Sequence, residues 1–342
     1  MVDLRSLDMA SLEQALVSLG QPKFRAKQIF SWLHKSKVRT FDEMANIPKT
    51  LIEKLKEQYY VSTCEIERKL CSKIDETVKY LYRLQDGEYI ESVVMKYKHG
   101  RSICVSTQCG CAMGCKFCAS TKNGKRRNLT AGEILDQIYM AERDLSIRIS
   151  NIVLMGMGEP LDNFDEVVRF LKLVSSPDGA NIGMRHISLS TCGLVNKIYD
   201  LQKLDLQLTL SISLHAPNDE IRSSMMPINN RYKIAELIEA CKDYIKATNR
   251  RISFEYSVVK GVNDSDECAY ELAHLLHGML CHVNLIPVNT IEEGGFVRPD
   301  MQRIKRFESL LLSKGINTTI RRTLGSDISA SCGQLRAKRV EE

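Results

Sequence analysis

Between Ile103 and Ser313 the chain repeats a short apolar stretch followed by a stretch with helical spacing, and this alternation restricts the fold more than any other feature. Strand patterns fall near Ile103 and over 151–155, 187–190, 207–213, 252–258 and 283–287, while helical patterns cover 131–145, 164–174, 234–245, 267–276 and 301–313. Strands joined by crossover helices pair in parallel. Six strand-led units are fewer than the eight of a closed barrel, so the expected fold is α/β, built on a partial (βα)6 barrel. Loops after the C-terminal ends of the strands are where its chemistry should lie.

Two regions precede the alternation. Residues 1–60 carry apolar side chains at helical spacing, as in 12–19 and 24–33, with Pro22 and Pro48 near helix starts, and should form a small helical domain. Its second helix carries Lys23, Arg25 and Lys27, then Trp32, His34, Lys35 and Lys37, a basic face that suits a phosphate backbone and equally suits water. Over 77–106 the period falls to two around a QDGE turn, which gives a β-meander extension over 61–100 that leads into a barrel domain over 101–342.

The chain has 44% hydrophobic and 26% charged residues, a balance that excludes disorder, and no apolar run reaches the roughly 18 to 20 residues of a spanning helix. The opening MVDLRSLDMASLEQALVSL lacks the pattern of a secretory signal, so the cytoplasm is expected and no membrane partner is. A net charge of +6 permits a polyanionic partner.

With 12 cysteines in such a chain, metal ligation or thiol chemistry becomes the leading question. In QCGCAMGCKFCAS, Cys111, Cys115 and Cys118 form a C-x3-C-x2-C run after the first barrel strand. Zinc usually takes four ligands from two separated pairs, whereas a [4Fe-4S] cluster held by three thiolates keeps one iron open for a small molecule. Cys109 stands as an alternative fourth ligand, although a C-x-C pair bends poorly around one cube.

This run resembles the signature of the radical S-adenosylmethionine (SAM) enzymes. The resemblance implies a [4Fe-4S] cluster on Cys111, Cys115 and Cys118, Phe117 beside the adenine of SAM, and Gly158 and Glu159 of MGMGEP at its amino group. Over nearly the whole chain the segments ICVSTQCGCAMGCKFCAST, RNLTAGEI, MGMGEPLDN, RHISLSTCG, SLHAPND, MPIN, KGVNDS, HVNLIPVN and DISASCGQL are similar to those of the RlmN/Cfr family of RNA adenosine methyltransferases. That similarity implies further SAM contacts at Ser190, Ser213, Leu214, His215 and Asn289. It also implies that Cys332 becomes S-methylated, that Cys104 later forms a transient disulfide with it, and that Glu91 accepts a proton.

The implied reaction consumes two SAM. One methylates Cys332; the other yields a 5′-deoxyadenosyl radical that takes hydrogen from that methyl, whose carbon then adds to the base. Glu91 removes the ring proton, and Cys104 attacks the sulfur of Cys332 to release the product. Segments such as ASTKNGKRRNLTAGEI look closest to the C2-methylating branch, whose substrates are adenosine 2503 of 23S rRNA and adenosine 37 of certain tRNAs. Cys109, in contrast, resembles the C8-methylating, antibiotic-resistance branch, and Ser331 replaces the more usual alanine. An electron donor such as flavodoxin or ferredoxin is implied as a partner. Lys122, Lys125, Arg126 and Arg127 after the cluster loop, with Arg321, Arg322, Arg336, Lys338 and Arg339 around Cys332, are candidate RNA contacts. Cys64, Cys71, Cys109, Cys192, Cys241, Cys268 and Cys281 read as packing. The competing class is a noncatalytic iron-sulfur or zinc protein that binds RNA through its basic module.

Overall fold

The computed structural model describes residues 1–98, 100–289, 295–331 and 333–335. The N-terminal region contains β1 (Val2–Asp3), α1 (Met9–Ser18), α2 (Phe24–His34), α3 (Lys49–Gln58) and β2 (Tyr59–Tyr60), with β1 and β2 paired in parallel. Asp8 caps α1 by accepting from the Ser11 N–H at 2.8 Å. The helical spacing buries Leu12, Leu16, Ala26, Ile29, Phe30 and Leu33 as the sequence implies. His34 corrects the expectation of a basic outer face. It lies four residues after Phe30, on the same inward side, and its Nδ1 sits 3.1 Å from Tyr139 Oη.

Four antiparallel strands follow: β3 (Cys64–Cys71), β4 (Val78–Leu84), β5 (Tyr89–Tyr97) and β6 (Gly100–Cys104). The sequence does not announce β3, because charged side chains crowd it and a bulge between Ile66 and Arg68 breaks its alternation. A small antiparallel ribbon, β7 (Gln108–Gly110) with β8 (Lys125–Asn128), then frames the cysteine loop.

The alternating units run α4 (Ala131–Leu145), β9 (Asn151–Leu154), α5 (Phe164–Ser175), β10 (Ile187–Thr191), α6 (Val195–Gln202), β11 (Thr209–Ser213), α7 (Asp219–Met225), α8 (Ile234–Thr248), β12 (Ile252–Val258), α9 (Asp266–Leu275), β13 (Cys281–Pro287), α10 (Met301–Ser313) and β14 (Thr318–Ile320). All main strands share one ten-stranded sheet in the order β14-β13-β12-β11-β10-β9-β6-β5-β4-β3. From β6 through β14 neighbouring strands run parallel, so the expected partial barrel is present, with β14 as an added strand and α6 and α7 as added helices. Both helices are too short for their period to stand out. Because β6 pairs with both β5 and β9, the meander continues the barrel sheet directly.

The meander is covered on both faces. Tyr80 and Tyr82 of β4 point toward α4, where their hydroxyls donate to Asp144 at 2.6 Å and to the Gln137 carbonyl at 3.3 Å. The opposite face packs Val93, Met95 and Cys104 against Ala330 and Leu335 of the C-terminal segment. Arg5 ties the N-terminal region to α4: fully buried, it pairs with Asp136 and donates to the carbonyls of Ser62 and Val38, both at 2.6 Å. No described helix is long and apolar enough to cross a membrane.

Candidate active site

At the C-terminal ends of the parallel strands lies a cavity with both cysteine and polar side chains in its wall. Cys111, Cys115, Phe117 and Cys118 line one side. Their loop is closed by the Cys111 N–H donating to the Gly124 carbonyl at 3.2 Å, and the Cys118 N–H donating to Cys115 at 3.1 Å. Burial pushes the Cys111 thiol up to about 12 and raises Cys115 as well. These two buried thiols therefore need a cation to become thiolates. Three cysteines of one short loop on one cavity wall suit a [4Fe-4S] cube with an open iron, whereas structural zinc usually takes a closed set of four ligands. Cys109 lies in the main hydrophobic core and does not line this cavity, which argues against it as a fourth ligand.

Gly158, Glu159, Ser190, Ser213, His215 and Asn289 line the same cavity. Gly158 has φ +100°, and a Cβ there would stand 2.6 Å from Gln108 Cβ, so only glycine lets the two loops meet. Glu159 is buried, with Oε1 accepting from the Leu161 N–H at 3.0 Å and Oε2 from the Cys192 N–H at 2.8 Å. Burial raises its carboxyl above the usual range. Ser190 and Ser213 hydroxyls stand 3.5 Å apart on neighbouring strands. His215 takes φ +59° and accepts the Ser257 N–H at Nδ1 (2.9 Å), so the neutral ring carries its proton on Nε2. Burial lowers that imidazole to about 3, and Phe117 meets it edge-on at 4.7 Å between centroids. Leu214 is the expected contact that the cavity wall does not include. Its side chain is in the hydrophobic core, while its backbone binds Glu255 and Arg222.

Among the polar lining residues, Cys192 and Glu255 were given no site role by the sequence, and Arg321, a candidate RNA contact, lines the cavity as well. Cys192, read as packing, sits beside Cys115 in a small buried cluster and meets Glu159 through its backbone. Its place just past β10 was the available signal.

Cys104 lines a second cavity with Val93, Met95, Ala330 and Ser331, and this cavity shares Met155, Ile286, Asn289 and Arg321 with the first. Ser331 lines one cavity and Gly333 the other. Cys332, between them in the chain, lies outside the described residues, as do Arg336, Lys338 and Arg339. The Gly333 carbonyl accepts from the Ala119 N–H at 2.7 Å and the Leu335 carbonyl from Ser120 Oγ at 2.5 Å, so the tail is fastened to the turn that follows Cys118.

Glu91 is buried, because the C-terminal segment covers its face of β5. In the ladder, Lys79 faces Val93 and Val93 faces Cys104. Paired residues share a side, and so do residues two apart on one strand, so Lys79, Glu91 and Cys104 project from one face. Two basic candidates are already engaged: Lys125 pairs with Asp162 at 2.8 Å, and Arg127 with Glu133 at 2.8 Å and Asp86 at 2.5 Å. Arg321 and Arg322 line the second cavity.

Residues 105–273 match the model of the Radical SAM superfamily, and residues 2–61 match the Ribosomal RNA large subunit methyltransferase N-terminal domain. The chain is 55% identical to a probable dual-specificity RNA methyltransferase RlmN of Clostridium novyi (strain NT), covering 98% of each chain. A protein of the same name from Alkaliphilus oremlandii (strain OhILAs) is 54% identical over 99% of each. This chain belongs to the RlmN family of radical SAM enzymes. The crystal structure of a radical SAM methyltransferase from Sphaerobacter thermophilus shares its fold with a TM-score of 0.94 and 45% identity, covering 99% of this chain and 100% of that one. A [4Fe-4S] cluster and SAM are the cofactors of a radical SAM enzyme, and the cavity with its three thiols matches them.

Proposed function

We propose that this RlmN-family enzyme methylates C2 of adenosine in RNA, at adenosine 2503 of 23S rRNA and adenosine 37 of tRNA, through a methyl group carried on Cys332 and at the expense of two SAM. The observation that carries the reading is the pair of adjoining cavities. The cysteine triplet lines one and Cys104 the other, and Ser331 and Gly333, which flank Cys332 in the chain, line one each. Cys111, Cys115 and Cys118 would hold the cluster, which with SAM would supply a 5′-deoxyadenosyl radical on one-electron reduction.

The chain's own residues then divide the work. Glu159 receives the amino group of SAM, with its carboxylate fixed by the Leu161 and Cys192 amides. Phe117 and His215 flank the adenine. Cys332 presents its methyl for hydrogen removal and bonds through that carbon to C2 of the substrate. Glu91 accepts the C2 proton, as a positioned carboxylate can once the ring is activated, while the adduct radical gives up its odd electron to the oxidised electron carrier. The Cys104 thiolate attacks the Cys332 sulfur, forming an S–S bond as the C–S bond breaks and the freed carbon takes up a proton, and an external thiol reopens the disulfide. An adenosine must leave its stack to enter, so the target is a flipped or loop base. Residues 1–60 serve as an RNA-binding accessory domain, 61–100 carry Glu91, and 101–342 hold the cofactors and Cys332. A flavodoxin or ferredoxin supplies the electron.

Anaerobic reconstitution tests this reading. The expected result is about four irons per chain, SAM cleavage under reduction, and 2-methyladenosine in both RNAs, with none from Cys332→Ala and a protein–RNA adduct from Cys104→Ala. An 8-methyladenosine product would overturn the C2 assignment, and tightly held zinc without SAM cleavage would favour a noncatalytic RNA binder.

A further inference from the structure

One cation on the covered face of the meander has no part in the chemistry above. Lys79 is nine-tenths buried on β4, and its Nζ stands 3.0 Å from Glu91 Oε1 and 3.1 Å from the Ser329 carbonyl. Ser329 belongs to the segment 325–331 that leads into Cys332. This segment is fastened to the β3–β4 hairpin at other points: Asp75 accepts the Gly325 N–H at 3.0 Å, and Asp327 accepts from Ser72 Oγ and the Lys73 N–H, each at 2.8 Å. Those ties sit in the turn of the hairpin, between β3 and β4. Of these ties, the one made by Lys79 also reaches Glu91.

We propose that Lys79 is a positioning residue that sets the Glu91 carboxylate against the segment leading to Cys332, so that the proton acceptor and the carbon donor keep a fixed relation while the product is released. The proposal rests on the reading that Glu91 accepts the C2 proton. Burying an ammonium is costly unless it is paired and hydrogen-bonded, a demand that a solvated lysine does not face. Its two acceptors come from the two parts that must cooperate: the strand with the base and the segment with the thiol. Without the ammonium, the Glu91 carboxylate faces a backbone carbonyl across a buried gap, and both are acceptors, so they move apart.

The test is a single-turnover experiment with the reconstituted full chain and a tRNA substrate. Three quantities are followed: methylation of Cys332 by peptide mass spectrometry, the covalent protein–RNA adduct on denaturing gels, and free methylated RNA. Lys79→Met keeps most of the stem. The expected outcome is Cys332 methylation as in the parent, with decay of the adduct to product slowed by about tenfold or more, a share of the ~10²–10⁴ that a positioned base contributes. Lys79→Arg should restore decay, because it returns a cation to the same two acceptors. Decay at the parental rate in Lys79→Met overturns the proposal. So does loss of Cys332 methylation in that variant, which would make Lys79 a general support of the fold, and so does failure of Lys79→Arg to rescue. Glu91→Gln separates the two levels: parental decay in Glu91→Gln sinks the proton-acceptor reading itself, whereas blocked decay there with parental decay in Lys79→Met sinks only the role of Lys79.

Discussion

The Gly333 carbonyl accepts a hydrogen bond from the Ala119 N–H at 2.7 Å, joining the residue after Cys332 to the residue after Cys118. Two positions more than 200 apart in sequence are thereby held as neighbours. Gly333 has φ +82°, and a Cβ on it would stand 2.9 Å from the Phe117 carbonyl, so the contact admits no side chain. Gly333→Ala is expected to cost about 1–3 kcal/mol of tail docking, or about a 5- to 150-fold loss of docked enzyme. SAM cleavage under reduction should persist while Cys332 methylation and RNA product fall together, as measured by mass spectrometry.

Glu159 should govern SAM affinity in a pH-dependent way. Its carboxyl is raised by burial, and only the ionised form pairs with an ammonium. Affinity should therefore fall on acidification as the carboxyl takes up a proton. Glu159→Gln is expected to weaken SAM by about 10- to 100-fold, the worth of one charge-assisted hydrogen bond of ~1.5–3 kcal/mol, and to abolish that pH dependence. Equilibrium dialysis with labelled SAM at several pH values reads both effects.

The junction between the N-terminal region and α4 should be acid-labile. Burial lowers His34 to about 3 from an ordinary value of 6.5. A depressed imidazole favours the folded state above pH 6.5, and that contribution is lost as pH falls toward 3, at up to ~1.4 kcal/mol per unit. His34→Phe removes the titration, and because His34 Nε2 has no hydrogen-bond partner it strands only the Tyr139 hydroxyl. Its melting temperature should be lower than the parent's at pH 7 and fall less steeply down to pH 5.

Arg5→Met should destabilise the same junction by about 3–5 kcal/mol, the usual cost of leaving one partner of a buried ion pair alone. Asp136 would lose its cation, and the Ser62 and Val38 carbonyls would lose a donor each. Thermal unfolding followed by circular dichroism checks the size of the loss.

The sheet and its helices were legible because burial imposes periodicity. Helix 131–145 starts at a Thr130–Glu133 capping box and emerges as its apolar spacing implies. The cysteine triplet and MGMGEP were legible because their spacing is local. What stayed hidden was whatever depends on a second segment arriving from far away. The burial of Glu91 depends on Ala330 and Leu335 packing over its strand, and His34 reads as basic surface until Tyr139 packs over it. Lys79 likewise takes its meaning from Ser329, 250 positions later. Leu214 shows the converse: it adjoins two cavity residues in the chain, and only the fold reveals that its side chain points into the core.

The most direct test of the central claim follows the methyl hydrogens. Enzyme whose Cys332 carries a trideuterated methyl, mixed with unlabelled SAM, reductant and RNA, should give adenosine bearing a methyl with two deuteriums and 5′-deoxyadenosine bearing one. That division requires hydrogen removal from the methyl before the carbon reaches the base. Transfer of the methyl with all three deuteriums, and none in 5′-deoxyadenosine, would contradict the account.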